Sequence, residues 1–274
     1  MKEENRQVGR MIHATRNGDR RQWRRFGGRN YNFGALIALA IICIIWFVAA
    51  HAVAKPFIFP YLEDVLYEIV YSMTDLYVLT NLGITMRRVL TGSLYAFIIG
   101  FPLGMFMGYS PRVLQAMSPF INSLRQVPIM AWVPLSIVWF GIGDGPTVFL
   151  IAFSGIFTII LNTISGVQDI NKDFYNAARS MGANTLGILK DVVIPGSLPG
   201  VLTGIRLAIG LGWMSVIWAE FIATSAGFGY VMVEAQGKML TEKVIAYMVI
   251  AGIIGFLIDM IMVFFERMLL KWKE

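Results

Sequence analysis

Arg206 and Glu220 lie fourteen residues apart inside one apolar stretch, Gly200 to Ala223, of a chain that is 57% hydrophobic and 15% charged. Ionisable groups in such a stretch are costly in hydrocarbon unless they pair, line water or reach an interface. At about 3.6 residues per turn the two share one helical face, but they stand roughly 21 Å apart along the axis. They are too distant to pair directly. Either each snorkels to its own interface, or both line a polar path. Trp132, Ser154, Asn162, Trp213, Ser215 and Trp218 are the other candidates for that path. The competing role for the tryptophans is packing or anchoring at an interface.

None of this is enzyme chemistry. The sequence has no GxxxxGK[ST] phosphate loop, so the chain cannot energise transport through that motif. It has two histidines, a lone Cys43, and neither HExxH nor CxxC spacing, so no metal site is expected. His51 is read as an interfacial residue rather than a ligand.

Soluble proteins carry about 25% charged residues, so the composition points to a membrane protein. Net charge is +6, and all of the excess sits in Met1 to Asn30, which holds nine Lys/Arg against three Asp/Glu. Basic residues beside a first apolar span fit positive-inside orientation better than nucleic-acid binding. Trp23 and Phe26 among these arginines would also let the tail lie on an anionic leaflet.

A bilayer needs about 20 apolar residues per helical span. Six spans are expected: Gly34 to Ala54, Val89 to Tyr109, Val127 to Gly141 (interrupted by Pro128 and Pro134), Thr147 to Val167, Gly200 to Ala223 and Val244 to Glu266. The first is read as uncleaved, because its apolar stretch exceeds the roughly 7 to 15 residues of a signal peptide. Gly92, Gly100, Gly104 and Gly108 form a ridge without side chains that lets another helix approach closely. Ser110 to Gln126 is expected as a bent connection on the inner side, Lys55 to Thr80 and Thr224 to Lys243 as outer connections. Arg87 and Arg88 are expected to snorkel or to draw anions to the entrance. This scheme puts 17 Lys/Arg inside and five outside, with both termini and the 176–199 loop cytoplasmic.

In that loop Phe174, Ala177, Ala178 and Met181 follow the spacing of one shallow helical face. Gly182 suits a left-handed helix end, and Asn184 or Thr185 a following cap. The second helix is expected to stop before Pro195, with a new one near Pro199.

Ala177, Ala178, Gly182 and Pro195, with Val192 and Ile194 between, resemble the EAA loop of permease subunits of ATP-binding-cassette (ABC) importers. Asn176 stands where that family usually has glutamate. The resemblance implies a cytoplasmic element, Asn176, Ala177, Ala178, Gly182, Ile194 and Pro195, coupled to an ATPase subunit, with Ala177 and Ala178 filling its groove. From about Asn81 onward the chain is similar to the branch handling nitrate, sulfonates, taurine and bicarbonate, through Val127 to Phe153, the loop, and Gly200 to Met232. Residues 1–30 fall outside the similarity.

The implied fold is all-α: a polytopic membrane protein with six transmembrane helices, the type I ABC importer permease (MetI-like) fold with cytoplasmic coupling helices. The implied division is 1–30 as basic tail, 31–80 as first span and external connection, and 81–274 as core permease with its loop at 172–199. Implied partners are a second copy of the chain, two cytoplasmic ABC ATPases, an external substrate-binding protein and membrane lipid, but no nucleic acid. The chain itself binds no cofactor, and ATP and Mg are used by the partners in the bacterial inner membrane. Pyrimidine precursors or aromatic acids are alternative cargo, and an ion-coupled secondary carrier acting alone is the rival mechanism.

Overall fold

The computed structural model describes residues 30–270, and among them every regular element is helical. The basic tail up to residue 29 lies outside them. The elements are α1 (Asn30–Val53), α2 (Leu62–Ser72), α3 (Leu76–Tyr109), α4 (Pro111–Gln126), a 3-10 turn (Ile129–Trp132), α5 (Val133–Phe140), α6 (Asp144–Gln168), α7 (Lys172–Ser180), α8 (Thr185–Ile188), a π turn (Leu189–Val193), α9 (Ile194–Ala223), α10 (Phe228–Gly237) and α11 (Thr241–Leu269). Five helical runs among the described residues are long and apolar enough to cross a membrane: Leu36–Val53, Leu76–Tyr109, Asp144–Gln168, Thr185–Ala223 and Thr241–Leu269.

The chain divides into two compact units, with the boundary in sequence between Glu63 and Asp64. In the first, Trp46 Nε1 donates to the Pro60 carbonyl at 3.1 Å and its ring packs on Phe59, fastening the end of α1 to the chain that follows. The His51 ring packs at a tilt against both Phe47 and Tyr61, and its Nδ1 lies 2.9 Å from the Phe47 carbonyl.

The second unit is organised around α6. The glycine ridge of α3 runs along it: a Cβ added at Gly92 would lie 2.6 Å from the Ile151 side chain, at Gly104 2.7 Å from Thr163, and at Gly108 2.8 Å from Val167. Contact positions rise together on both helices, so α3 and α6 run parallel. On the other flank α9 carries Gly200, Gly204, Ala208 and Gly212 at the same four-residue spacing. Gly200 meets Gly166, and Gly212 meets Ile151, so α9 runs antiparallel to α6. Helices without Cβ atoms at the crossing gain dispersion contacts along the whole backbone, the main source of helix association where lipid is as apolar as the side chains.

The expected third span needs correction. The run Ile129–Phe140 is shorter than a bilayer requires. The preceding segment is not a bent connection: α4 is a sixteen-residue helix entered through Ser110 and Pro111 and continuing through Pro119. It lies against α6, with Leu114, Met117 and Ile121 packed on Phe157, Ile160 and Ile164. Residues 111–140 together therefore follow α6, broken where Pro128 forces Val127 to extended geometry (φ −70°, ψ 121°).

Gly200→Leu is expected to force α9 away from α6, because its Cβ would stand 2.7 Å from the Gly166 Cα. The expected loss is about 3 kcal/mol, the upper part of the overpacking range. Gly210→Ala, with nothing within 4 Å, is expected to be neutral or slightly stabilising. Thermal unfolding in detergent checks both.

Candidate functional site

The 172–199 segment begins with Asn171, whose side chain accepts the Asp173 amide at 3.0 Å and caps α7. Gly182 adopts φ +82° as its position requires, and Asn184 rather than Thr185 caps α8, accepting from the Gly187 amide at 2.8 Å. Two expectations are corrected here. The helix does not stop before Pro195: it passes from α8 through the π turn into α9, where Pro195 occupies the first turn and Pro199 lies inside. The π turn changes the hydrogen-bond register just ahead of Pro195, where the missing donor falls among the groups a helix start leaves free.

Ala178 is also not on an open face. It is 7% exposed and packs on Met105, Val167, Ile188 and Val193. The outward stripe is instead Phe174 (64% exposed), Ala177 and Met181 (82%), joined by Leu186 (72%). Asn176, Ile194 and Pro195 are exposed as well. Tyr175 is half-buried between these faces, and burial raises its phenol above the usual value.

At the opposite end of α6 a charged knot ties α3, α6 and α9 together. Glu220 is wholly buried. Its carboxylate accepts from Arg88 Nη1 at 2.7 Å, from the Gly229 amide at 2.8 Å and from the Thr85 hydroxyl at 2.8 Å. Arg88, 3% exposed, also donates to the Ala226 carbonyl at 2.7 Å and through Nε to Asp144 at 2.8 Å. Arg87 pairs with the other Asp144 oxygen. Thr85 Oγ1 accepts from the Phe228 amide, and Asn81 Oδ1 from the Gly227 amide, each at 2.7 Å. Gly227 must lack a side chain, since at φ +113° its Cβ would lie 2.3 Å from the Glu220 carboxyl carbon.

Snorkelling is therefore wrong for Arg88 and Glu220, which satisfy each other. Attraction of anions by Arg87 and Arg88 is also offset, because Asp144 and Glu220 match their charges. Nearby, on α10, Glu234 accepts from Lys238 and from the Tyr77 phenol, which hold its carboxyl below the usual range.

The path candidates separate into distinct places. Ser154 and Asn162 line one groove of about 410 Å³ between α6 and the break after α4, together with Thr158, Arg125, Val127 and Pro128. The Trp132 ring packs at a tilt against Phe153 of its wall, centroids 4.6 Å apart, with a buried Nε1 that has no partner. Arg206 faces α11, bound by Asp259 at 2.7 Å and near Glu266 at 3.5 Å. Trp213 is core, donating to the Ala251 carbonyl at 3.1 Å. Ser215 is half-buried, and Trp218 is 53% exposed against Phe221. The structure thus brings together Ser154, Asn162 and, through Phe153, Trp132, but not the other five.

Thr85, Thr158 and Arg125 were missed as site residues, and Arg88 was singled out without its partner Glu220. Ser154, Thr158 and Asn162 recur every four residues, a signal present in the sequence. The partner of Glu220 was not legible, because it lies 132 residues away.

Residues 100–271 match the family model described as binding-protein-dependent transport system inner membrane component. The taurine transport system permease protein of Escherichia coli is 30% identical over 268 residues, covering 96% of this chain and 97% of that protein. The nitrate import permease protein of Leptolyngbya laminosa is 33% identical over 188 residues, covering 69% and 67%. Among solved structures, an inward-facing methionine ABC transporter chain shares the fold at a TM-score of 0.63 and 18% identity, covering 71% of this chain and 97% of that one.

Glu220→Ala is expected to cost about 3 to 5 kcal/mol, since it leaves the buried Arg88 guanidinium half-paired. Arg88→Met combined with Glu220→Leu is expected to recover most of that, with Arg87 still holding Asp144. Melting temperatures of the two variants in detergent check the difference.

Proposed function

The chain belongs to the binding-protein-dependent transport inner membrane component family, the permeases of ABC importers, and we propose that it carries a small anion of the nitrate or sulfonate class into the cell. The taurine and nitrate permeases to which it is similar support that cargo. The proposed assembly is two copies of this chain, two ATPase subunits on the cytoplasmic side and an external binding protein that delivers the solute. Both termini and the 172–199 segment are assigned to the cytoplasm by the excess of basic residues on that side.

The observation that carries the proposal is the exposed apolar stripe of Phe174, Ala177, Met181 and Leu186 on an otherwise polar segment between two spans. Such a stripe is expected to be covered, and a small residue flanked by two large ones suits a groove on a partner subunit. Asn176, Gly182, Ile194 and Pro195 then shape and border the contact, and Ala178 supports it from within. ATP binding can bias the permease only if the partner fits this stripe differently in its open and closed states. ATP and Mg are handled by that partner.

Co-purification and transport test this. Phe174→Asp and Ala177→Trp are each expected to lower binding-protein-stimulated ATP hydrolysis at least tenfold while the membrane dimer still forms. Wild-type hydrolysis in both would overturn the coupling assignment. In proteoliposomes the full complex is expected to accumulate nitrate, taurine or methanesulfonate only with ATP. Accumulation by the chain without ATPase subunits would establish the ion-coupled carrier instead.

A further inference from the structure

Arg125 does not lie where its place in the sequence suggests. It stands in the last turn of α4, and because α4 packs along α6 it meets the groove beside Phe153, Ser154, Phe157, Thr158 and Asn162. Thr158 is fourteen residues from one end of α6 and ten from the other, so this groove lies roughly 15 to 21 Å from either end. That is mid-depth in a bilayer whose apolar core is about 30 Å thick.

The charge there has no counterpart. Arg125 makes no ion pair or side-chain hydrogen bond among the described residues, and no carboxylate lines the groove. Every other arginine treated above is matched: Arg87 and Arg88 by Asp144 and Glu220, Arg206 by Asp259. An exposed, unmatched guanidinium at this depth is costly if it faces lipid, which argues for water or an anionic solute against it.

The rest of the groove suits an anion with a small polar head. Asn162 gives one N–H to the Thr158 carbonyl at 2.8 Å and keeps the second free. Thr158 holds the Ser154 carbonyl only at 3.4 Å, so its hydroxyl can turn outward at little cost. Phe153, Phe157, Val127 and Leu161 supply apolar walls. A guanidinium fork with one amide and one hydroxyl donor matches a planar or tetrahedral oxyanion, and the apolar wall tolerates a short carbon tail.

We propose that Arg125, Thr158 and Asn162 form a mid-membrane anion subsite, with Arg125 its charge-selecting residue, for nitrate or a sulfonate head group in transit. This rests on the importer assignment above and adds a site within it. The subsite must be weak, because a solute held tightly at mid-depth would not leave. A guanidinium partly exposed to water meets that requirement, since solvent screens its attraction.

The experiment uses the whole complex in proteoliposomes, with ATP-driven uptake of nitrate, methanesulfonate and taurine measured beside binding-protein-stimulated ATP hydrolysis and the melting temperature of the assembled complex. Arg125→Gln is expected to lower uptake at least tenfold while stimulated hydrolysis stays within twofold of wild type. Arg125→Lys is expected to restore part of the uptake, and Asn162→Leu to reduce it by several fold. Uptake per assembled complex unchanged in Arg125→Gln, with only a lower melting temperature, would overturn the subsite and leave Arg125 complementing the α4 terminus. If Arg125→Gln fails to assemble, the Asn162→Leu and Arg125→Lys results decide by the same uptake criterion. A wild-type complex that moves none of the three anions would instead count against the importer's cargo assignment.

Discussion

Everything in the larger unit depends on how closely two helices approach a third. The four-residue rows of small residues on α3 and α9 bring both backbones onto α6, to the point where Cβ atoms added at their glycines would fall 2.6 to 3.0 Å from its nearest atoms. Lipid offers no hydrophobic driving force for such association, so the contacts must come from dispersion between surfaces without gaps. The geometry has a second effect. With its flanks occupied, α6 can present a polar stripe only on the side left over, and that side is the one α4 and its proline break partly cover.

Charge is treated in two ways along this frame. At the Asp144 end of α6, Arg88 and Glu220 are buried and their hydrogen-bonding capacity is taken up by Thr85, Asp144, Ala226 and Gly229. Removing two ions from water costs several kcal/mol each, which only such complete pairing offsets. The knot joins α3, α6, α9 and the turn into α10 through side chains that each bridge two or more of these elements or their partners. Arg125 at mid-depth has the opposite environment, open and unmatched. A fixed, saturated cluster suits a structural closure, whereas an unsaturated one suits something that comes and goes.

Much of this is legible in the sequence. The α3 glycine ridge, the Gly182 turn, the Asn184 cap and the apolar runs all follow from local residue chemistry, and local chemistry is what periodicity reports. The α9 ridge was equally readable in Gly200, Gly204, Ala208 and Gly212, though less conspicuous for the alanine. What could not be read was set by distant neighbours. Glu220 and Arg88 pair across 132 residues, and Ala178 faces inward because Met105 and Val167 stand behind it. Ser110 to Gln126 looked like a connection because Pro111 and Pro119 suggest a bend. Yet Pro111 falls in the first turn, where proline is favoured, and Pro119 costs one hydrogen bond that packing on α6 outweighs. That reassignment places Arg125 beside Ser154, Thr158 and Asn162 of α6 rather than on a bent connection.

The frame also connects the exposed stripe of α7 to the groove. α6 ends at Gln168 and α7 begins at Lys172, so only three residues separate the stripe's helix from the helix that carries Ser154, Thr158 and Asn162. On the return, α8 enters α9 through the π turn, and Gly200 then seats against Gly166 with backbone on backbone. A load applied to Phe174 or Met181 therefore has little slack on the α6 side. On the α9 side the π turn is where hydrogen-bond register can change without unfolding a helix. Packed interiors deform poorly, whereas the π turn and the Val127–Pro128 break both interrupt the regular α-helical ladder. Val193 of the π turn packs with Ala178 beneath the stripe, and Val127 and Pro128 line the groove.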